Sequence, residues 1–196
     1  MLKIGITGGI GSGKSTVGRM FQVLDVPVFE ADAEGKRILA DDPDVRAAVT
    51  AAFGADAYPQ GRLDRHHLAG IIFADPVARE KLNAIVHPAV RTAFGRWAAD
   101  QEAPYVLMAS ALLVGSGGAR ALDGLVLVTA PETLRLQRVM ARDDADEHAV
   151  RARMAAQLQE EEMRAAADHV IVNDDRRPVI PQVLEVHQAL LQRATR

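Results

Sequence analysis

The sequence predicts an α/β chain, a five-stranded parallel sheet covered by helices. Three observations carry that prediction. Short apolar runs alternate along the chain with stretches of helical periodicity, the order that builds parallel sheets. The runs at 104–110 and 125–129 are apolar almost without a break, as suits strands covered on both faces. The first run opens into a glycine-rich loop that leads directly into a helical pattern.

Leu2, Ile4 and Ile6 mark the first strand. The loop after it reads Gly8-Gly9-Ile10-Gly11-Ser12-Gly13-Lys14-Ser15, which fits G-x-x-x-x-G-K-[ST], the phosphate-binding P-loop. Val17, Met20, Phe21 and Leu24 then recur at helical spacing. The glycines allow a tight turn with N–H groups aimed inward. At a helix N-terminus those donors make an anion site for nucleotide phosphates. Lys14 is placed to reach the outer phosphates, and the Ser15 hydroxyl to sit on Mg²⁺.

Residues 26–29 predict the second strand, followed at once by Glu30-Ala31-Asp32. Carboxylates just past a strand's C-terminal end lie where open α/β sheets bind ligands. The competing reading is an acidic loop, or Asp32 capping a helix over 33–40. From 41 to 97 the pattern is mostly helical. Asp42-Pro43 and Asp75-Pro76 read as helix starts, an N-cap followed by proline. Residues 63–73 form a short helix and 75–97 a long one, unless His87-Pro88 kinks it. The block has the character of a helical insertion beside the sheet. Adjacent His66 and His67 cannot share a helix face, which argues against a metal site there. By pattern alone, His87 reads as a helix-end histidine with a structural hydrogen bond.

Residues 104–110 and 125–129 are the third and fourth strands, and Thr129-Ala130-Pro131-Glu132 predicts a capping-box start to a helix. On that helix Arg135, Arg138 and Arg142 share one face. That face is either solvated or a clamp on phosphates, which guanidinium forks fit bidentately. Beside a P-loop the clamp is favoured, because phosphoryl transfer needs cations around the transferred group. A turn at 143–146, a charged helix over 147–167, a last strand at 169–173 and a terminal helix through Val179, Val183, Val186, Leu190 and Leu191 complete the pattern.

The bulk properties bound the function. The chain has 196 residues, 48% of them hydrophobic, enough for one α/β unit with an insertion. A net charge of −3, with no basic stripe or aromatic platform, speaks against nucleic acid or an anionic membrane as partner. Cysteine is absent, which rules out disulfides and thiolate chemistry. No stretch approaches the roughly 18 apolar residues of a membrane span. The P-loop begins where a signal peptide's charged and apolar regions would lie, so the expected compartment is the cytoplasm.

Three features point to a small-molecule kinase: a length that leaves no room for a second machine, an acidic pair after the second strand, and an arginine-faced helix before a polar hairpin. The last has the shape of a lid that keeps water from the phosphoryl group. Along nearly its whole length the sequence resembles the dephospho-CoA kinase family. The residues that carry the resemblance are the run Ile6 to Thr16, Val26-Pro27-Val28-Phe29-Glu30-Ala31-Asp32 with Glu30 in place of the first acid of Asp-Ala-Asp, Leu82-Asn83-Ala84-Ile85-Val86-His87-Pro88, Gln137-Arg138-Val139-Met140-Ala141-Arg142-Asp143, Gln157, and Ala167-Asp168-His169-Val170-Ile171-Val172-Asn173.

The resemblance implies a P-loop NTPase fold in a single domain over 1–196. Its core would span 1–32, 104–134 and 168–196, with a helical acceptor-binding insertion at 41–98 and a helical lid at 135–165. It implies transfer of the ATP γ-phosphoryl group to the ribose 3′-hydroxyl of dephospho-CoA. Asp32 would orient or deprotonate that hydroxyl, and Lys14 would stabilise the developing charge. Gly8, Gly9, Gly11, Ser12, Gly13, Lys14, Ser15 and Thr16 would bind ATP, Ser15 and Asp32 would serve Mg²⁺, Arg138 and Arg142 would close over the phosphates, and His87 would help hold the CoA moiety. Three positions depart from the family pattern: Ala109 stands where a strand-end acid is usual, Val114-Gly115 where Phe-Glu is common, and Met163 where a lysine follows the lid. Two other readings remain open at this point: a kinase of another small acceptor, such as a nucleoside monophosphate, and a nucleotide-binding regulatory protein without catalysis. Oligomeric state is not legible.

Overall fold

The computed structural model describes residues 1–115 and 117–195. Among these residues, five strands form one parallel sheet: β1 (Leu2–Thr7), β2 (Val28–Glu30), β3 (Tyr105–Ala109), β4 (Gly124–Thr129) and β5 (His169–Val172). Their spatial order is β2-β3-β1-β4-β5. The expected sheet is therefore present, with β1 at its centre. From β1 the chain passes to one side for β2 and β3 and then to the other for β4 and β5. That reversal makes the C-terminal end of β1 a topological switch point, where such sheets bind ligands.

The chain divides into two compact units, Met1–Glu30 with Ala98–Arg196, and Ala31–Trp97. In the first, helix α1 (Lys14–Val23) and the terminal helix α9 (Val179–Ala194) share one apolar cluster with the sheet. Ile4, Ile6, Val17, Phe21, Val126, Ile171 and Leu190 are buried in it. Removing a side chain such as Phe21 from water contributes roughly 1.5–3 kcal/mol. This unit also carries α6 (Glu132–Asp143), α7 (Glu147–Ala155) and α8 (Glu160–Ala166).

The second unit is helical: α2 (Ala31–Asp41), α3 (Pro43–Phe53), α4 (Arg65–Ala74) and most of α5 (Pro76–Ala99), with two short 3₁₀ turns between α3 and α4. Both expected Asp-Pro starts are present. Asp42 Oδ1 accepts from the N–H groups of Asp44 and Val45, each at 3.0 Å, and Asp75 Oδ1 accepts from Val77 N–H at 2.8 Å. Tyr58 ties the 3₁₀ turns to α2 by donating to the Leu39 carbonyl at 2.6 Å.

The differences from expectation are local. Strand β2 starts at Val28 because Pro27 has no N–H to pair, although its carbonyl still accepts from Leu107 N–H at 2.9 Å. Helix α2 starts at Ala31, so Asp32 sits inside the first turn rather than at the cap. Pro88 lies within α5 without ending it. Thr129 does not cap α6. It pairs with Val172 as the last residue of β4, and Pro131 takes the cap position with no side-chain bond. The charged segment after α6 is two helices, the second opened by Gln159 N–H donating to Glu162 Oε2 at 3.3 Å.

Candidate active site

The P-loop leaves the buried end of β1 and winds into α1. Gly13 takes a left-handed conformation (φ 92°) at the α1 N-terminus, and its carbonyl accepts from Thr16 N–H at 2.9 Å and Val17 N–H at 3.0 Å. Lys14 and Ser15 thus lie in the first turn, where helix N–H groups lack intrahelical partners and favour an anion. Ser15 and Thr16 are exposed, whereas Ser12 is 1% exposed. Among the described residues the buried hydroxyls of Thr7 and Ser12 have no hydrogen-bond partner. Two orphaned oxygens at the base of the loop mark it as a polar site.

Three elements of the same unit press on this loop. Just past β5, Asn173 donates through Nδ2 to the Ser12 carbonyl at 2.8 Å, so close to Gly13 that a Cβ there would collide with the amide. From α6, the Arg135 carbonyl would lie 2.5 Å from a Cβ on Gly11, and the Arg135 guanidinium lies over Gly9. From the turn between α7 and α8, Gln157 Oε1 accepts from Ile10 N–H at 2.8 Å.

The three arginines of α6 are engaged differently. Arg135 donates through Nε to the Ala130 carbonyl at 3.1 Å. Arg138 donates to the Asn173 carbonyl at 3.1 Å and pairs with Asp175 at 2.6 Å. Arg142 turns to its neighbour Asp143, with bonds of 2.7 and 3.1 Å, and Arg153 adds a third at 2.8 Å. These bonds, Arg142's first, hold the Asp143 carboxyl down at about 2. The structure therefore brings Arg138 to the P-loop region and leaves Arg142 in an ion pair at the end of α6. Arg135, Gln157 and Asn173 complete the surroundings of the loop without having been singled out as site residues. Arg135 was legible on the arginine face. Asn173 follows a strand's C-terminal end, as Asp32 does.

A cavity of about 520 Å³ opens among α6, α7 and α8, with Glu132, Arg135, Arg151, Gln157 and Glu160 in its wall. Met163 also faces it and is only 4% exposed, so a methionine suits a place where a lysine would need a partner for its charge. Ala109, at the end of β3, is 1% exposed and stands in register with Ile6 on one side and Glu30 on the other. The remaining strand-end acid is thus Glu30, the exposed last residue of β2.

Asp32 and His87 belong to the helical unit. Asp32 shares the first turn of α2 with Glu34, a favourable place for anions. His87 is half-buried on α5, and burial, followed by the charge of Arg91, pushes its pKa below the usual 6.5. Ser15, Glu30 and Asp32 are hard oxygen donors of the kind Mg²⁺ prefers.

A parallel sheet of order β2-β3-β1-β4-β5, with a P-loop between its central strand and the first helix, defines a P-loop NTPase fold. The dephospho-CoA kinase of Bacteroides fragilis is 39% identical over 193 residues, 98% of this chain and 94% of the relative. That of Salinibacter ruber is 45% identical over 178 residues, 89% of each chain. A crystal structure from Thermus thermophilus superposes with a TM-score of 0.83 at 36% identity, covering 98% of this chain and 97% of that one. The model of the dephospho-CoA kinase family matches residues 2–178, and the chain belongs to that family. No described helix is long and apolar enough to cross a membrane.

Proposed function

We propose that this chain transfers the γ-phosphoryl group of ATP to the ribose 3′-hydroxyl of dephospho-CoA, giving coenzyme A and ADP. One observation carries the reading: a P-loop at the end of the central strand, pressed by arginines of α6, in a chain whose family match runs from that loop past the His87-Pro88 segment.

The chemistry follows from the groups present. The loop from Gly8 to Thr16 and the start of α1 hold the phosphates, and Lys14 neutralises charge on the outer ones. Asp32 accepts the proton of the 3′-hydroxyl. The hydroxyl oxygen bonds to the γ-phosphorus as the bond to the bridging oxygen breaks, and ADP leaves with the electron pair. Arg138 and Arg142 close over the phosphates, Arg142 by giving up Asp143. Ser15 and Asp32, with Glu30, suit Mg²⁺, which when bound neutralises phosphate charge. His87 and the insertion over 41–98 hold the CoA moiety, and 135–165 serves as the lid. The cytoplasm is the compartment that goes with this reading.

A second reading has its own observation. With Ala109 at the end of β3, the sheet lacks a carboxylate where many P-loop enzymes support the metal, which favours a nucleotide-binding regulator. Mg²⁺-dependent ADP release with dephospho-CoA, AMP, adenosine and no acceptor separates the two. Release confined to dephospho-CoA is expected. ATP binding without acceptor-dependent release would favour the regulator.

A further inference from the structure

We propose that Arg135 is a catalytic residue, the cation that meets the transferred phosphoryl group at the head of the P-loop. The proposal rests on the kinase reading above and adds to it a residue that neither the motif nor the α6 signature supplies.

The loop has two ends. Its inner end, Gly13 to Ser15, is the N-terminus of α1, where backbone amides of this motif cradle the inner phosphates. Its head, Gly9-Ile10, lies four residues earlier, and in this proposal the outermost group sits beside it. At the head the Ile10 amide is already engaged by Gln157 Oε1 at 2.8 Å, so a side chain is what can add positive charge there beside that of Lys14. Arg135 is in place to supply it. Its Cζ would lie 3.3 Å from a Cβ on Gly9, and its Nη1 would be closer still, inside the distance any real Cβ contact allows. A side chain at Gly9 would push the guanidinium off the loop.

The other two arginines of the face hold carboxylates in this structure and must release them to turn to a phosphate. Arg138 is paired with Asp175 and Arg142 with Asp143. Arg135 has no carboxylate partner among the described residues; its Nε is anchored to the neutral Ala130 carbonyl, and its Nη1 end faces the loop. Glu132, one turn earlier on α6, is taken by Arg151 at 3.0 Å. An anchored, charged fork beside the outer phosphate is worth most as negative charge spreads over the transferred oxygens.

The experiment is R135Q and R135K in the full chain, read by ATP and ADP affinity, by kcat and KM with dephospho-CoA, and by Tm. For R135Q, kcat should fall about a hundredfold or more, the loss seen when one preorganised donor is removed. ATP affinity should fall about tenfold with ADP affinity within about twofold, because ADP lacks the group that Arg135 meets. R135K should recover part of the rate, since it restores charge without the fork. An R135Q enzyme with unchanged kcat would overturn the proposal. So would equal losses of ATP and ADP affinity with a lowered Tm, which would make Arg135 a strut of the loop. If the wild-type chain turns over no dephospho-CoA, the kinase reading fails, while the ATP-to-ADP affinity ratio still decides the role of Arg135.

Discussion

At the residue scale, Asp32 carries the sharpest prediction. It lies in the first turn of α2, two residues past the end of β2, where the helix N-terminus favours a carboxylate. Asp32→Asn keeps the shape and removes the proposed proton acceptor. Turnover should fall by about 10²–10⁴ while ATP affinity stays near wild type, by steady-state ADP release and calorimetry. Turnover at the wild-type rate would move the base elsewhere. His87 makes a prediction in pH. Burial and Arg91 lower its pKa below 6.5, so the folded chain binds fewer protons than the unfolded one as pH falls through that region. Its contribution is therefore intact above the unfolded value and is lost below it. His87→Gln should flatten the fall in Tm between pH 7.5 and 5.5, and an unchanged slope would show that other groups set it. The position of Asp32 was legible because the end of an apolar run marks a strand's C-terminus. The pairing of Arg142 was not, because periodicity gives a helix face but not which neighbour a long side chain chooses.

At the element scale, the loop is held by β5 and α6 rather than by its own glycines alone. Asn173 joins them: its amide donates to Ser12, and its carbonyl receives Arg138. Asn173→Ala should cost about 1–2 kcal/mol of stability through the lost loop contact. It should also weaken ATP and ADP binding alike, since it loosens the loop without touching the transferred group. Denaturant melts and nucleotide titrations would show both; a variant with wild-type affinity would mean that Gly13 holds the loop unaided. The same elements show where sequence reading stops. Strands β3, β4 and β5 were legible as apolar runs within a residue or two at each end. Strand β2 was trimmed by Pro27, a donor lost from the ladder. The break between α7 and α8 lies at 156–159, with no glycine or proline to announce it. Pro88 inside α5 is the reverse case, since one missing N–H and a ring contact do not stop a helix whose flanks are packed.

At the scale of the whole molecule, the chain interrupts its sheet-bearing unit with a helical one between β2 and β3. That interruption was legible in the lack of strand patterns over 41–97. The strand order was not, because spatial neighbours in a parallel sheet are set by crossover packing, which local periodicity does not encode. The division has a thermodynamic consequence. The P-loop and the helices pressing on it lie in one unit, so ATP binds the folded form of that unit and stabilises it by mass action. At about 100 times its Kd the gain is about 2.7 kcal/mol. At roughly 2–4 °C per kcal/mol for a chain of this size, that is a Tm rise of about 5–10 °C. Lys14→Ala should abolish most of the rise, because it removes the point charge proposed to meet the outer phosphates while leaving the buried core untouched. Hydrogen exchange should localise the effect, with ATP slowing exchange in α1, α6 and β5 and leaving α3 and α4 near their free rates. A Lys14→Ala protein that keeps the full ATP-induced rise would take the lysine out of phosphate binding. Equal slowing in α3 and α4 would mean that nucleotide binding is felt by both units together.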